Sequence, residues 1–380
     1  MELILKQYDI PLLRFSATND SSTPEIEVHW INEDQRHLLP LDMELSPEGI
    51  SRWMRRRTIP RNRAYVNRLL AKCGLNANRP MGILALCKGL SVDDSYWVVE
   101  EGFEGTFEKY NLFENRFNEV LALIAFTGYG SRNRSSLASS PEFTTNGMLP
   151  KCWRRISGKV MLYKGGTDGG YNTGAESYCE YYAAQVAAAM GIDAIPYGLS
   201  QWKGRLCSTC ELFTDIDHAY MPIGNLVQRG GFDAVAAYYE NLGEPFQKAF
   251  RDMLVFDAVI CNTDRHYGNF GFMIDNKTNT IAAPAPLFDH GNSLFNQAGP
   301  EDYESPEAFQ QYIDTLVPCV YDDFFATAKR FMTDENREQL RKLLGFRFKR
   351  HVRYNLPPKR LKLMEEQVRK RAMRLLENKD

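Results

Sequence analysis

The segment Asn262-Thr-Asp-Arg-His-Tyr-Gly-Asn269 puts a carboxylate, a histidine and an amide on one short loop, and Leu287-Phe-Asp-His-Gly291 follows with a second carboxylate. Moving a phosphoryl group requires a carboxylate beside the attacking hydroxyl and oxygen ligands that hold magnesium against the nucleotide phosphates. Asp264 and Asn269 lie five apart, the separation of Asp and Asn in the kinase loop H-R-D-x-x-x-x-N. Asp289 stands ahead of Gly291 as the metal-binding Asp stands ahead of Gly in D-F-G. Either segment alone reads as an ordinary loop. Together and in this order they predict a phosphoryl-transfer centre.

Such a centre needs further groups upstream. Lys164 closes the strand-like run V-M-L-Y-K and is placed to grip the α- and β-phosphates. Its acidic partner is expected on the next helix, where Glu180 and Glu176, one turn earlier, compete. The phosphate-covering loop should precede the lysine strand, where Thr144-Thr-Asn-Gly147 and Lys151 stand, so Thr144, Thr145, Gly147 and Lys151 are candidates. GGTDGGYNTG lies on the wrong side of Lys164 for that task, and nothing matches G-x-x-x-x-G-K-[ST]. Leu206-Cys-Ser-Thr-Cys-Glu-Leu-Phe213 reads as the strand and hinge for adenine, bound through backbone groups of Glu211, Leu212 and Phe213.

These residues need elements to hold them. The apolar run PFQKAFRDMLVFDAVICN predicts a buried helix from Pro245 that feeds directly into the 262–269 loop. FGFMID reads as a strand, and a turn at Asp275-Asn276-Lys277 predicts a hairpin bringing both acids to one cleft. AESYCEYYAAQVAAAMGI carries Cys179, Ala183, Val186, Ala187 and Met190 at helical spacing and stops at Gly191. Gly158 divides WRRIS from KVMLYK as in a hairpin. From Ser46 to Gly74 the pattern gives two helices broken at Pro60. Its arginines (Arg52, Arg55, Arg56, Arg57, Arg61, Arg63, Arg68) are expected on a solvated face or against the rest of the chain, with a DNA-docking helix-turn-helix as the alternative. Residues 128–143 are Ser-rich and read as linker or loop.

The fold class expected is α+β, a two-lobed protein-kinase-like fold with a small β-rich lobe, a larger helical lobe and an extra N-terminal domain. The regions are 1–128, an accessory α/β domain; 129–213, the small lobe with phosphate loop and hinge; and 214–380, the helical lobe with basic C-terminal helices. Hydrophobic residues at 44% and charged residues at 25% are ordinary for a globular chain, and a net charge of -2 points to neither a nucleic-acid nor a membrane partner. Residues 335–380 hold 15 Lys/Arg against 6 Asp/Glu, a basic end that suits a solvated face or an acidic partner. Eight cysteines are scattered, and the lone Cys207-x-x-Cys210 is weak evidence for zinc. No apolar run approaches the ~18 residues of a membrane span, and MELILKQYDI is neither a signal nor a transit sequence. A cytoplasmic location with reduced thiols follows as the expectation.

Over roughly residues 139–330 the chain resembles the HipA-like kinases, whose core shares the architecture of protein kinases and phosphoinositide kinases. The resemblance rests on NTDRHYGN, LFDHGN and the helix from Glu180 to Gly191 ending in AAAMGI. It implies Asp264 as catalytic base, Asn269 and Asp289 as magnesium ligands, and Glu180 as the partner of Lys164. His266 fits the family's D-x-H-x-x-N form, either bracing the loop or taking part in catalysis. The 144–151 segment resembles the family's Ser/Gly loop but lacks its A-G-A-Q stretch. The implied function is an ATP- and Mg²⁺-dependent serine/threonine kinase with a protein acceptor. D-R-H-x-x-N followed by D-x-G is equally the pattern of a small-molecule or phosphoinositide-type lipid kinase. A catalytically silent kinase-fold binding protein is the third reading. DNA is expected only through a partner, and a membrane not at all. Ser131, Ser135, Ser136, Ser139, Ser140, Thr144 and Thr145 crowd the loop region, and related kinases modify a serine there, which implies autophosphorylation.

Overall fold

The computed structural model describes residues 1–18, 24–130 and 140–377. Strands β1 (Glu2–Gln7), β2 (Ile10–Ala17), β3 (Ile26–Ile31) and β4 (Tyr96–Glu100) form an antiparallel sheet in the order β3-β2-β1-β4. Alternate residues of these strands, Leu3 and Leu5 with Leu13, Phe15 and Ala17, enter one core, as the two-residue period of a strand requires. Strands β5 (Lys151–Ile156) and β6 (Lys159–Gly165) form a hairpin turned at Ser157 (φ 50°) and Gly158 (φ 83°). Strands β7 (Gly198–Trp202) and β8 (Arg205–Glu211) form another, turned at Lys203 (φ 52°) and Gly204 (φ 79°). Positive φ at both turn residues matches the right-handed strand twist, so a glycine second in the turn sets each register. Strands β9 (His218–Pro222), β10 (Gly271–Asp275) and β11 (Thr280–Pro284) form a sheet in the order β11-β10-β9.

The mixed α/β chain divides into two compact units. The first comprises Met1–Lys164, Glu211–Met221 and Met273–Ala282, and the second Gly165–Cys210, Pro222–Phe272 and Ala283–Asp380. This partition runs across the sequence-based regions 1–128, 129–213 and 214–380. In the first unit, helices Pro47–Arg56 and Val66–Lys72 flank Pro60, with Ser46 accepting the Gly49 N–H at 3.1 Å as N-cap. Trp97, Phe107, Leu112, Trp153 and Val160 build a second core beside that of the first sheet.

The second unit is organised on the helix Phe246–Ile260, buried almost throughout from Phe250 onward. Helices Gly231–Leu242, Phe324–Phe331, Asp334–Arg341 and Pro358–Leu376 pack on it. The helix Ala175–Met190 buries Cys179, Ala183, Val186, Ala187 and Met190, the face read from the sequence. It ends at Gly191, whose φ of +81° lets its N–H reach back to the Ala187 carbonyl at 2.9 Å. Among the described residues no helix is long and apolar enough to cross a membrane.

Candidate active site

The buried helix Phe246–Ile260 ends because Cys261 turns left-handed at φ 53°, which throws the chain into the 262–269 loop. Asp264 stands half-buried at its centre. Its N–H donates to Asn262 Oδ1 at 3.1 Å, and its carbonyl accepts from His266 N at 2.8 Å and Asn269 Nδ2 at 3.2 Å. The carboxylate is oriented by Asn292, whose Nδ2 donates to Asp264 Oδ2 at 2.8 Å while Asn296 Nδ2 donates to Asn292 Oδ1 at 2.9 Å. His266 is exposed, and its Nδ1 accepts the Gly268 N–H at 3.0 Å, closing the loop on itself.

Arg265 holds this loop from beneath. Its side chain and that of Asp257 are 1% and 0% exposed, paired through Nε–Oδ2 at 2.9 Å and Nη2–Oδ1 at 3.1 Å. Burial pushes the Asp257 carboxyl up, against the pull of the guanidinium beside it. The same guanidinium donates to the carbonyls of Asn269 at 3.1 Å and Phe288 at 2.6 Å, and lies 3.1 Å from His290 Nδ1. One buried cation therefore fixes the end of the Asp264 loop and both neighbours of Asp289.

Asp289 takes a left-handed φ of 56°, a conformation that costs a non-glycine residue about 1 kcal/mol or more. Its surroundings hold it there. The Asp289 N–H donates to the Tyr197 hydroxyl at 3.1 Å, and the His290 N–H donates to Glu180 Oε2 at 2.9 Å. Upstream, Leu287 exchanges backbone bonds with Asp193 and Ile195 at 3.0 and 2.8 Å. Burial, with Glu180 and Asp289 close by, drives the Tyr197 phenol well above its usual range, so it remains a neutral donor or acceptor. Glu180 is fully buried, whereas Glu176 is committed to Thr167, whose N–H it accepts at 3.1 Å.

Asp264, Asn269, Asp289, Glu180 and His266 thus gather within the second unit. The Asp289 carboxylate and the Asn269 amide oxygen are hard oxygen donors suited to magnesium, which keeps several of its ligands as water or phosphate. Among the described residues no group of three His, Cys, Asp or Glu side chains forms a metal site. Cys207 and Cys210 sit buried on β8 and are not joined in a disulfide.

The remaining candidates belong to the first unit. Lys164 is buried near the end of β6, opposite Lys151 at the start of β5. Thr144 donates its hydroxyl to Leu90 O at 3.0 Å, and Thr145 to Pro141 O at 2.7 Å. Gly147 has φ 92°, and Lys151 Nζ, bonded to Asn146 O at 2.7 Å, occupies the space a Cβ there would need. Glu211 pairs with Lys159 at 2.6 Å, Leu212 N donates to Val160 O at 2.9 Å, and Phe213 meets Tyr220 edge-on. Of the proposed phosphoacceptors, Ser131, Ser135, Ser136 and Ser139 lie outside the described residues. Ser140 and Thr144 are buried and Thr145 half-buried.

Sequence reasoning passed over Arg265, Asp257, Tyr197 and Asn292. A signal for the first two was present, since an acid in the otherwise apolar stretch 253–260, one loop ahead of an arginine, demands a partner. Tyr197 and Asn292 carry no such mark.

No family model matches the chain. It is 27% identical over 135 residues to the serine/threonine-protein kinase CtkA of Helicobacter pylori, a match covering 32% of this chain and 41% of that kinase's length. The crystal structure of CtkA aligns at a TM-score of 0.47 and 16% identity, over 61% of this chain and 90% of that one. HipA from a Shewanella oneidensis toxin–antitoxin complex with HipB and operator DNA aligns at a TM-score of 0.53 and 13% identity, over 98% of this chain and 97% of that one. Kinship in sequence with a serine/threonine kinase and in fold with HipA identifies the HipA-like kinases as the family this chain resembles.

Proposed function

We propose that the chain is an ATP-dependent phosphotransferase of two-lobed kinase type, acting on a serine or threonine of a protein. The observation that carries the reading is the buried network in which Arg265 joins the Asp264 loop to the Phe288 carbonyl and the His290 ring, the two neighbours of Asp289. In this reading Asp264 takes the proton of the acceptor hydroxyl, with Oδ2 fixed by Asn292 and Oδ1 turned to the acceptor. Asp289 and Asn269 would hold magnesium, which supplies positive charge against the phosphate oxygens. Lys164 binds the phosphates, Glu180 steadies the Asp289 loop through His290, and the backbone of 211–213 receives adenine. His266 braces the loop. The cysteine usage suits the cytoplasm.

A protein acceptor is favoured because the curated relative CtkA is named a serine/threonine-protein kinase. Of the seven arginines between 52 and 68, Arg57 and Arg63 are buried in ion pairs and Arg56 pairs with Asp42 at 2.9 Å, which weakens the case for a DNA-docking face there. The test is incubation with labelled ATP and magnesium, with and without candidate acceptors, followed by mass spectrometry and with Asp264→Asn as control. Phosphate on a protein serine or threonine supports the reading. Transfer only to an inositol lipid or a small alcohol replaces it with the lipid or small-molecule kinase, and absence of any ATP turnover sinks both.

A further inference from the structure

The 142–151 segment is held by a residue that lies almost eighty positions earlier and belongs to no motif. Arg63 is 1% exposed, as is Glu142, with which it forms an ion pair. Its Nη1 donates to the carbonyls of Glu142 and Thr145, the latter at 3.2 Å, and its Nη2 to Lys151 O at 3.0 Å. The next residue adds to the set, since the Ala64 N–H donates to Met148 O at 2.9 Å. Every third carbonyl of the segment, at 142, 145, 148 and 151, is therefore drawn onto Arg63 and Ala64. Glu142 is in turn locked by the Trp153 N–H on Oε1 at 2.8 Å, and Trp153 Nε1 donates to Thr145 Oγ1 at 2.9 Å.

A peptide whose carbonyl is tied inward must present its N–H elsewhere. Asn146, Gly147 and Met148 are exposed, and among the described residues none of their N–H groups has a hydrogen-bond partner. Successive free backbone N–H groups on a turn that includes a positive-φ glycine (Gly147, φ 92°) form an anion-binding concavity, and the Lys151 ammonium beside it adds charge. Lysine at position 63 could not reproduce this, because an ammonium lacks the planar fork that reaches three carbonyls and a carboxylate at once.

We propose that Arg63 is a positioning residue for nucleotide binding: its hold on the Thr145 carbonyl turns the Asn146 N–H outward, Lys151 on the Asn146 carbonyl does the same for Gly147, and the 146–148 turn so fixed presents its N–H groups to phosphate oxygens. This rests on the kinase reading above. Arg57 provides the control. It is also buried, bonded to Asp94, Gly89 O and Tyr96 O, and holds residues 89–96 instead.

The test uses the full chain and three variants, Arg63→Lys, Glu142→Gln and Arg57→Lys. Backbone hydrogen exchange should quicken about tenfold or more at 142–153 in the first two and not in Arg57→Lys. Steady-state turnover should show KM for Mg-ATP rising about tenfold or more with kcat within about threefold for Arg63→Lys, and an unchanged KM for Arg57→Lys. Unchanged exchange at 142–153 in both Arg63→Lys and Glu142→Gln overturns the inference, as does a KM rise shared equally by Arg57→Lys. A parent chain that neither binds nor turns over Mg-ATP fails the kinase reading and the nucleotide role with it, whereas normal parent turnover with an unmoved KM fails the role of Arg63 alone.

Discussion

Two loops in this molecule are each built on one buried arginine, and they differ in where that arginine comes from. Arg265 lies inside the loop it organises, with its carboxylate partner Asp257 eight residues back and its carbonyl partners four and 23 residues on. Arg63 reaches its loop across 79 to 88 residues of chain. The chemistry is the same in both: a guanidinium pairs with one acid and gathers carbonyls, because leaving its buried donors unsatisfied is costly, and of the Arg63 donors only Nε is without a partner among the described residues. A motif-borne arginine organises residues that share its segment. A remote one makes the shape of a loop depend on a different part of the chain.

The largest effects should come from the chemistry on the Arg265 side. Asp264→Asn should lower phosphoryl transfer by about 10²–10⁴ while binding Mg-ATP nearly as the parent does. Asp289→Asn should lose turnover and Mg-ATP affinity together, read by turnover and calorimetry. Parent-like rates in both would remove the site assignment. Next, Arg265→Met leaves Asp257 as a lone buried charge, at a cost of about 3–5 kcal/mol in urea unfolding. The double variant Arg265→Met/Asp257→Leu should recover much of that stability and none of the activity. Recovery of both would mean that the clamp does not position the loop.

A smaller effect is expected from Asn292→Ala, which frees the Asp264 carboxylate to rotate. It should reduce kcat about tenfold, with KM for Mg-ATP unchanged. A KM effect without a kcat effect would place Asn292 with the nucleotide instead. The smallest concerns the first unit. Burial, and then the neighbouring Asp94, push the Asp93 carboxyl up to about 6, against the Ser91 hydroxyl and Arg57, which lower it. Because the folded state holds this proton more tightly, the stability it contributes is full below the ordinary value of 3.8 and is lost as pH rises through about 6. Asp93→Asn should therefore raise stability by about 1 kcal/mol at pH 8, discounted for its partial exposure, and change nothing near pH 4. Thermal midpoints at the two pH values decide this, and an equal shift at both would refute it.

The parts of the fold that were legible in the sequence are those whose cause is local. The stop at Gly191, the Ser157–Gly158 turn, the break at Pro60 and the buried helix ahead of the 262–269 loop each follow from a residue type or a periodicity within one window. The turn at 275–277 is likewise local, with Asp275 Oδ1 accepting the N–H groups of Lys277 and Thr278 at 2.8 and 3.0 Å. The arginines of 52–68 show where legibility ends. Arg52, Arg55, Arg61 and Arg68 are exposed as a charged helical face should be, but Arg57 and Arg63 are buried. Nothing distinguishes the two classes in their own segment, because what decides is a carboxylate 37 or 79 residues away. Tyr197 escaped notice for the same reason, since its hydroxyl matters only once the chain has brought Asp289 to it.

The span of the two arginine clamps also sets an order of events during folding. Closing a flexible chain between Arg63 and Glu142 carries about 2 kcal/mol more entropy loss than closing it between Asp257 and Arg265, on a logarithmic dependence on loop length. The Asp257–Arg265 contact can form while its own helix is consolidating, and the Arg63–Glu142 contact must wait for most of the N-terminal segment to collapse. In a chain emerging from a ribosome, Arg63 and Glu142 are nonetheless both exposed to solvent long before Asp257 is made. Rapid-mixing exchange labelling would then find 262–269 protected early in refolding from denaturant and 142–151 late. During synthesis the two clamps would close in the reverse order.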